Sequence, residues 1–181
     1  MRELSLHILD IVQNSVKAQA KLVMIDIIIN NGYLNLKIVD DGKGMSEDFL
    51  ARVLDPFTTT RTTRNVGLGL PLLKQSAEMA NGKFYIKSEL NKGTEVFASY
   101  ELDNIDRVPL GDIVSTIITL ISPSIDFVWI YQIDDKKFVF DTREVTKELD
   151  GISIDSPEIL IFLQEYLKEN IESINGGNII L

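Results

Sequence analysis

Two β-branched runs around a single dipeptide narrow the fold most. KLVMIDIIIN (21–30) and YLNLKIVD (33–40) flank Asn31-Gly32, and Asn-Gly between alternating apolar residues is the strongest short hairpin signal a sequence carries. Leu34, Leu36 and Ile38 share one face of the second run, because strand side chains alternate sides. A hairpin this long, apolar on one face, needs a second layer to cover it.

The flanking segments supply that layer. Within 3–19, Leu4, Ile8, Ile11 or Val12, and Val16 recur at helical spacing. SEDFLARVL predicts a short helix with Ser46 as N-cap. Residues 55–67 are rich in Thr and Arg without periodicity and read as a loop. LPLLKQSAEMA reads as a helix with Pro71 in its first turn and Asn81-Gly82 as its stop. KFYIKSEL and TEVFASYEL make two further strands around Asn91-Lys92-Gly93. The first 102 residues therefore run α, β, β, α, α, β, β, which predicts an α+β fold, a two-layer α/β sandwich.

Charge divides the chain at this point. Residues 1–102 hold 12 basic and 12 acidic side chains; residues 103–181 hold 6 and 15, the whole of the net charge of -9. We expect two units, 1–102 and a small acidic C-terminal α/β unit at 103–181. The second reads as a helix over LGDIVSTIITLIS, a hairpin of IDFVWIYQID and KKFVFD, a shorter helix TREVTKEL, and a last helix opened by Ser156-Pro157-Glu158. Ile159, Phe162, Leu163, Tyr166 and Leu167 are its expected buried face, and the INGGNII tail is expected to fray. An acidic surface repels phosphates, so nucleic acid is an unexpected partner. Phe127, Trp129 and Tyr131 are candidate protein or homodimer contacts, or core.

Other classes are excluded by what the chain lacks. There is no cysteine, hence no disulfide, zinc-thiolate site or thiol nucleophile. The N-terminal stretch carries acids and an amide within its apolar pattern, unlike a secretory leader. The longest apolar runs fall well short of a bilayer span. A soluble cytoplasmic protein without membrane contact is expected.

The chemistry begins at VGLGL (66–70). No G-x-x-x-x-G-K-[ST] string occurs, and a G-x-G-x-x-G pattern from Gly67 fails at Leu72. Alone, Gly67 and Gly69 read as a tight helix entry. Three other features accompany them. Asp10 and Asn14 share a helix face that His7 and Lys17 extend, a set able to position water, Mg²⁺ and phosphate. Asp40-Asp41-Gly42-Lys43-Gly44 ends a strand: its glycines permit close backbone approach, and Asp40 can accept from an exocyclic amine. Gly93-Thr94 begins the last strand, with a hydroxyl able to point back at the same place. Taken singly, these are a solvated helix face, a turn and a hairpin.

Together and in this order, they resemble the motifs of the GHKL superfamily of ATPases, which includes gyrase, a heat-shock chaperone, mismatch-repair ATPases and histidine kinases. DIVQNSVKAQA is similar to its N box, VDDGKGM to its first glycine box, DPFTTTR to its F box and VGLGL to its second glycine box. The last two are most similar to those of histidine kinases. The resemblance covers residues 3 to about 102 and implies the Bergerat ATP-binding fold.

By position, the resemblance implies ATP and Mg²⁺ as ligands. Asn14 would ligate the metal through its amide oxygen, and Asp40 would read the adenine amine, helped by Thr94. Gly42 and Gly44 would lie near the base. Gly67, Leu68, Gly69 and Leu70 would present helix-terminal N–H groups to phosphate. Arg61 and Arg64 would reach the polyphosphate from a mobile lid over 58–66, and Lys17 would contact phosphate. Hydrolysing members carry Glu where this chain has Asp10, the candidate catalytic base. Asp reaches about 1.5 Å less, a misplacement able to cost ~10²-fold in rate, so slow hydrolysis at most is expected. His7 is expected at the pocket rim or in packing, since the histidine-kinase acceptor lies on an upstream helix pair that is not part of this pattern. Three uses follow: a slow ATPase or a kinase acting on a protein partner, an ATP-driven conformational switch, or a regulatory subunit that senses nucleotide without chemistry.

Overall fold

A computed structural model describes residues 3–54 and 68–176. The hairpin forms as the sequence predicts: β1 (Leu22–Asn30) pairs antiparallel with β2 (Tyr33–Asp40), Ile25 opposite Ile38 and Ile27 opposite Leu36. Asn31 and Gly32 both take positive φ in the turn, as a type I′ connection requires. Val23, Ile25, Ile27 and Ile29 face the core while the residues between them face outward.

Helix α1 (Leu4–Lys17) precedes the hairpin, and the single turn α2 (Glu47–Leu50) follows it. Ser46 does cap α2, accepting from the Phe49 N–H at 3.3 Å, but the helix stops at Leu50 instead of continuing through SEDFLARVL. α3 (Gly69–Met79) ends before Asn81, whose φ is 53°. β3 (Phe84–Glu89) and β4 (Gly93–Glu101) complete the sandwich, with β4 antiparallel to β2.

The remaining elements are α4 (Ile113–Leu120), β5 (Asp126–Ile133), β6 (Lys136–Asp141), α5 (Thr142–Glu148) and α6 (Pro157–Asn175). β5 pairs parallel to β1 along its length, Phe127 opposite Val23 and Trp129 opposite Ile25. The result is one six-stranded sheet in the order β3-β4-β2-β1-β5-β6. Helix α1 packs on both α3 and α4, and α4 on α6, making the second layer of the α+β sandwich. The change of charge after residue 102 has no counterpart in this sheet, which runs across it.

The backbone ties the two halves together further. Glu3 gives α1 no side-chain cap; instead the Leu4 and Ser5 N–H groups donate to the Pro109 and Leu110 carbonyls at 2.9 Å. This satisfies two of the donors that every helix start leaves open.

One open reading of exposure is decided and one expectation is corrected. Phe127, Trp129 and Tyr131 are buried to 1%, 3% and 4% exposure, because the parallel register turns them to the helical layer beside Val23, Ile25 and Ile27. They fill the core and offer no contact surface. On α6, Leu163 and Leu167 are buried as expected, but Phe162 is 63% and Tyr166 41% exposed. The seam of α6 is a narrow i, i+4 stripe through Leu163, Leu167 and Ile171, and Phe162 and Tyr166 lie beside it. The tail after Gly176 lies outside the described residues.

Candidate functional site

A cavity of about 430 Å³ opens between α1, the end of β2, α2 and the start of β4. Ile11, Asn14 and Ser15 of α1, with Ala18 just past its end, form one wall, spaced so that successive turns present them together. Ile38, Met45, Phe49, Val53, Leu70 and Val96 make the lining mainly apolar. Such a cavity with a few aimed polar groups suits a flat heterocycle.

Asp40 is the central polar group. It closes β2, is 8% exposed, and stands directly opposite Thr94 in the β2–β4 pairing. One carboxylate oxygen accepts from the Ser15 hydroxyl at 2.7 Å, the other from the Gly42 N–H at 2.9 Å. Each oxygen has two lone-pair directions, so the carboxylate is held in place and keeps acceptor capacity. The neighbouring acid is spent elsewhere: Asp41 Oδ1 accepts the Lys21 and Leu22 N–H groups and anchors the start of β1.

Glycine is required where the loops converge on Asp40. Gly93 has φ +90°, and a Cβ there would run into the Asp40 carbonyl. Gly44, at φ +63°, lies as tightly against the Glu89 carbonyl. The first loop is pinned by Lys43 N–H to Ala18 O at 2.9 Å and Asn91 N–H to Lys43 O at 2.8 Å. Ser88 joins the loops on the other side, accepting from Met45 N–H at 2.9 Å and lying 2.9 Å from the Thr94 hydroxyl. At the mouth, Lys17 and Lys43 are exposed cations.

Of the residues singled out by sequence, Asn14, Lys17, Asp40, Gly44, Leu70 and Thr94 line this cavity. Gly42 sits behind it, in contact with Ala18 and orienting Asp40. Leu68 is 56% exposed and points to solvent. Arg61, Arg64 and Gly67, with the lid over 58–66, lie outside the described residues.

Asp10 and Gly69 meet beside the cavity. Asp10 Oδ2 is buried without a hydrogen-bond partner among the described residues, and it occupies the space toward which a Gly69 Cβ would project. His7, one helical turn before Asp10, is 1% exposed and packs inside; it is not on the rim. Neither of its ring nitrogens reaches hydrogen-bonding geometry with a described partner. Burial lowers its pKa to about 4, opposed only in part by the backbone at Gly69.

Sequence reasoning missed Ser15, the hydroxyl that fixes Asp40. Its signal was available: it stands four residues after Ile11, one turn along the same helix face. It also missed the apolar wall from Met45, Phe49 and Val53.

The chain resembles parts of larger proteins. It is 39% identical over 61 residues to sporulation kinase D of Bacillus subtilis, covering 34% of this chain and 12% of that protein. It is 30% identical over 89 residues to the sensor histidine kinase YvrG of the same organism, covering 46% and 15%. The match thus spans less than a sixth of the length of either relative. In fold it resembles the crystal structure of the N-terminal domain of a DNA repair protein, with a TM-score of 0.54 at 15% identity over 77% of this chain and 52% of that one. Residues 2–104 match the family model for histidine kinase-, DNA gyrase B- and HSP90-like ATPases. With more than half of its length matched in this way, the chain belongs to the histidine kinase-, DNA gyrase B- and HSP90-like ATPase family.

Proposed function

We propose that the chain binds ATP with Mg²⁺ and acts as a kinase-like regulatory protein on a protein partner, turning ATP over slowly if at all. Family membership supports ATP binding. The observation that carries the reading is the Asp40 carboxylate, fixed by Ser15 and Gly42 at the base of an apolar cavity. There it accepts the exocyclic amine of adenine, with Thr94 opposite, while Ile38, Met45 and Val96 cover the ring faces. Gly44 leaves room for the ring edge, and Lys17 and Lys43 draw the phosphates to the mouth.

The donor set fits Mg²⁺ in one way only. Among the described residues there is no cluster of three or more His, Asp or Glu able to cage an ion. Asn14 lines the cavity with one amide oxygen, so the rest of the shell must come from phosphates and water, the usual arrangement for this ion. When bound, Mg²⁺ neutralises phosphate charge; Asn14 holds it beside the helix.

Asp10 is the acid placed to orient or deprotonate a water. Its Oδ2, without a partner among the described residues, is buried against Gly69, which leaves it little freedom to advance. That contact favours a second reading, a nucleotide sensor or ATP-driven switch in which Asp10 reports the position of α3 and performs no chemistry.

Incubation with γ-labelled ATP, with and without cell extract, separates these uses. A labelled partner supports transfer, free phosphate lost in Asp10→Asn supports slow hydrolysis, and tight binding without either supports sensing. Absence of ATP binding to the purified chain refutes the proposal.

A further inference from the structure

The acidic C-terminal part carries an apolar groove separate from the nucleotide cavity. It lies between β6, α5 and α6, encloses about 600 Å³, and includes Val139, Val145, Leu149, Ile159, Phe162 and Tyr166. Phe162, Tyr166 and Val139 are exposed on it. Phe162 and Tyr166 stack with centroids 6.4 Å apart and planes inclined by 12°, and Phe138 meets Tyr166 edge-on at 5.8 Å. Single exposed apolar side chains are ordinary, but a joined aromatic patch over a groove marks an interaction surface.

Charge selects the occupant. Asp141 is taken up by Arg143 at 2.6 Å, leaving Glu144, Lys147 and Glu148 along one wall. Glu158, Glu165 and Glu169 follow on α6, and the whole of 103–181 bears the net charge of -9. Planar cations satisfy both features at once: a guanidinium stacks on an aromatic face and pairs with a carboxylate. A second acidic copy of this chain, or an anionic lipid, meets repulsion here.

We propose that this groove docks an arginine-bearing apolar segment of a partner protein, with guanidinium groups over Phe162 and Tyr166 beside Glu144 and Glu148, and apolar side chains on Leu149 and Ile159. The proposal rests on the reading that this chain acts on a protein partner, and it gives that partner a chemistry.

The test uses the full chain and a short fluorescent peptide of alternating Arg and Leu, against the same peptide with Glu in place of Arg. Expected are saturable binding of the Arg peptide, weakened by salt, and at least about tenfold weaker binding of the Glu peptide. Phe162→Ser, and Glu144→Lys with Glu148→Lys, should each weaken binding about tenfold while ATP affinity stays at the wild-type value, which also shows that the variants fold. Asp40→Asn should weaken ATP binding, remove its preference over GTP and keep the peptide, so failure of the nucleotide reading and failure of the groove are distinguishable. Equal binding of both peptides, or indifference to Phe162→Ser, overturns the proposal. So does a dimer in sedimentation that Phe162→Ser dissociates, since the occupant would then be a second copy.

Discussion

The Asp10 carboxylate fills the space into which a Cβ on Gly69 would project. One residue comes from the middle of α1, the other from the first turn of α3, so the contact sets how closely those helices approach. Gly69→Ala should therefore destabilise the fold by about 1–3 kcal/mol, the usual range for overpacking. With Asp10→Ala present the obstruction is gone, and the same change should become neutral or slightly favourable, because Ala is the better helix former. Denaturant melts of the two single variants and the double variant check this. Additive losses would show that Gly69 matters for a reason other than Asp10.

The Ser15 hydroxyl donates to Asp40 at 2.7 Å, which makes Ser15 a positioning residue for any base that Asp40 reads. Removing it takes one hydrogen bond from a buried carboxylate, worth about 1 kcal/mol. Ser15→Ala should weaken ATP about fivefold and leave the preference for ATP over GTP. Asp40→Asn presents an N–H group where an acceptor is needed and should erase that preference. Calorimetric titration with both nucleotides reads the two effects, and an unchanged ratio in Asp40→Asn would show that another group selects the base.

The parts of this site legible in sequence are those fixed by local backbone. Asp40 was legible because a strand end, two acids and two glycines mark it; Asn14, because helix spacing puts it on one face with Asp10. Of the two acids, Asp40 lines the cavity, while Asp41 ties down Lys21 and Leu22. Met45, Phe49 and Val53 look like any apolar residues until tertiary packing gathers them. The β1–β5 pairing was hidden for a different reason. Parallel strands are joined by long crossovers with no turn signature, so nothing local showed that Phe127, Trp129 and Tyr131 continue the core. On α6 the apolar residues are numerous enough to cover two faces, and only the neighbours α4, β5 and β6 decide that Leu163 turns in and Phe162 out.

With no acidic cluster to cage a cation among the described residues, the proposed Mg²⁺ ligand Asn14 would need nucleotide to complete the ion's shell. Titration of Mg²⁺ into the nucleotide-free chain should give no saturable binding below millimolar concentration. With ADP or ATP present, Mg²⁺ should raise nucleotide affinity, and Asn14→Ala should abolish that enhancement while sparing metal-free binding. Tight Mg²⁺ binding without nucleotide would place the metal on residues other than Asn14.

His7 gives the fold a defined weakness to acid. Its pKa falls from 6.5 to about 4 on burial, so between these values the unfolded chain binds a proton that the folded chain does not. Stability contributed by neutral His7 is therefore complete above about pH 6.5 and is lost as pH falls toward 4, with a slope of at most about 1.4 kcal/mol per pH unit. Protonation would place a cation between α1 and the start of α3, where the backbone at Gly69 offsets only part of the cost of burial, although Asp10 stands one turn away. His7→Asn cannot titrate in this range, so the difference in unfolding free energy between wild type and variant should rise with pH from 4 to 6.5 and then level off. Taking the difference removes contributions common to both proteins, such as that of Asp26, whose pKa burial raises on β1. A difference that stays flat from pH 4 to 7 would mean that His7 is protonated, and tolerated, in the folded chain.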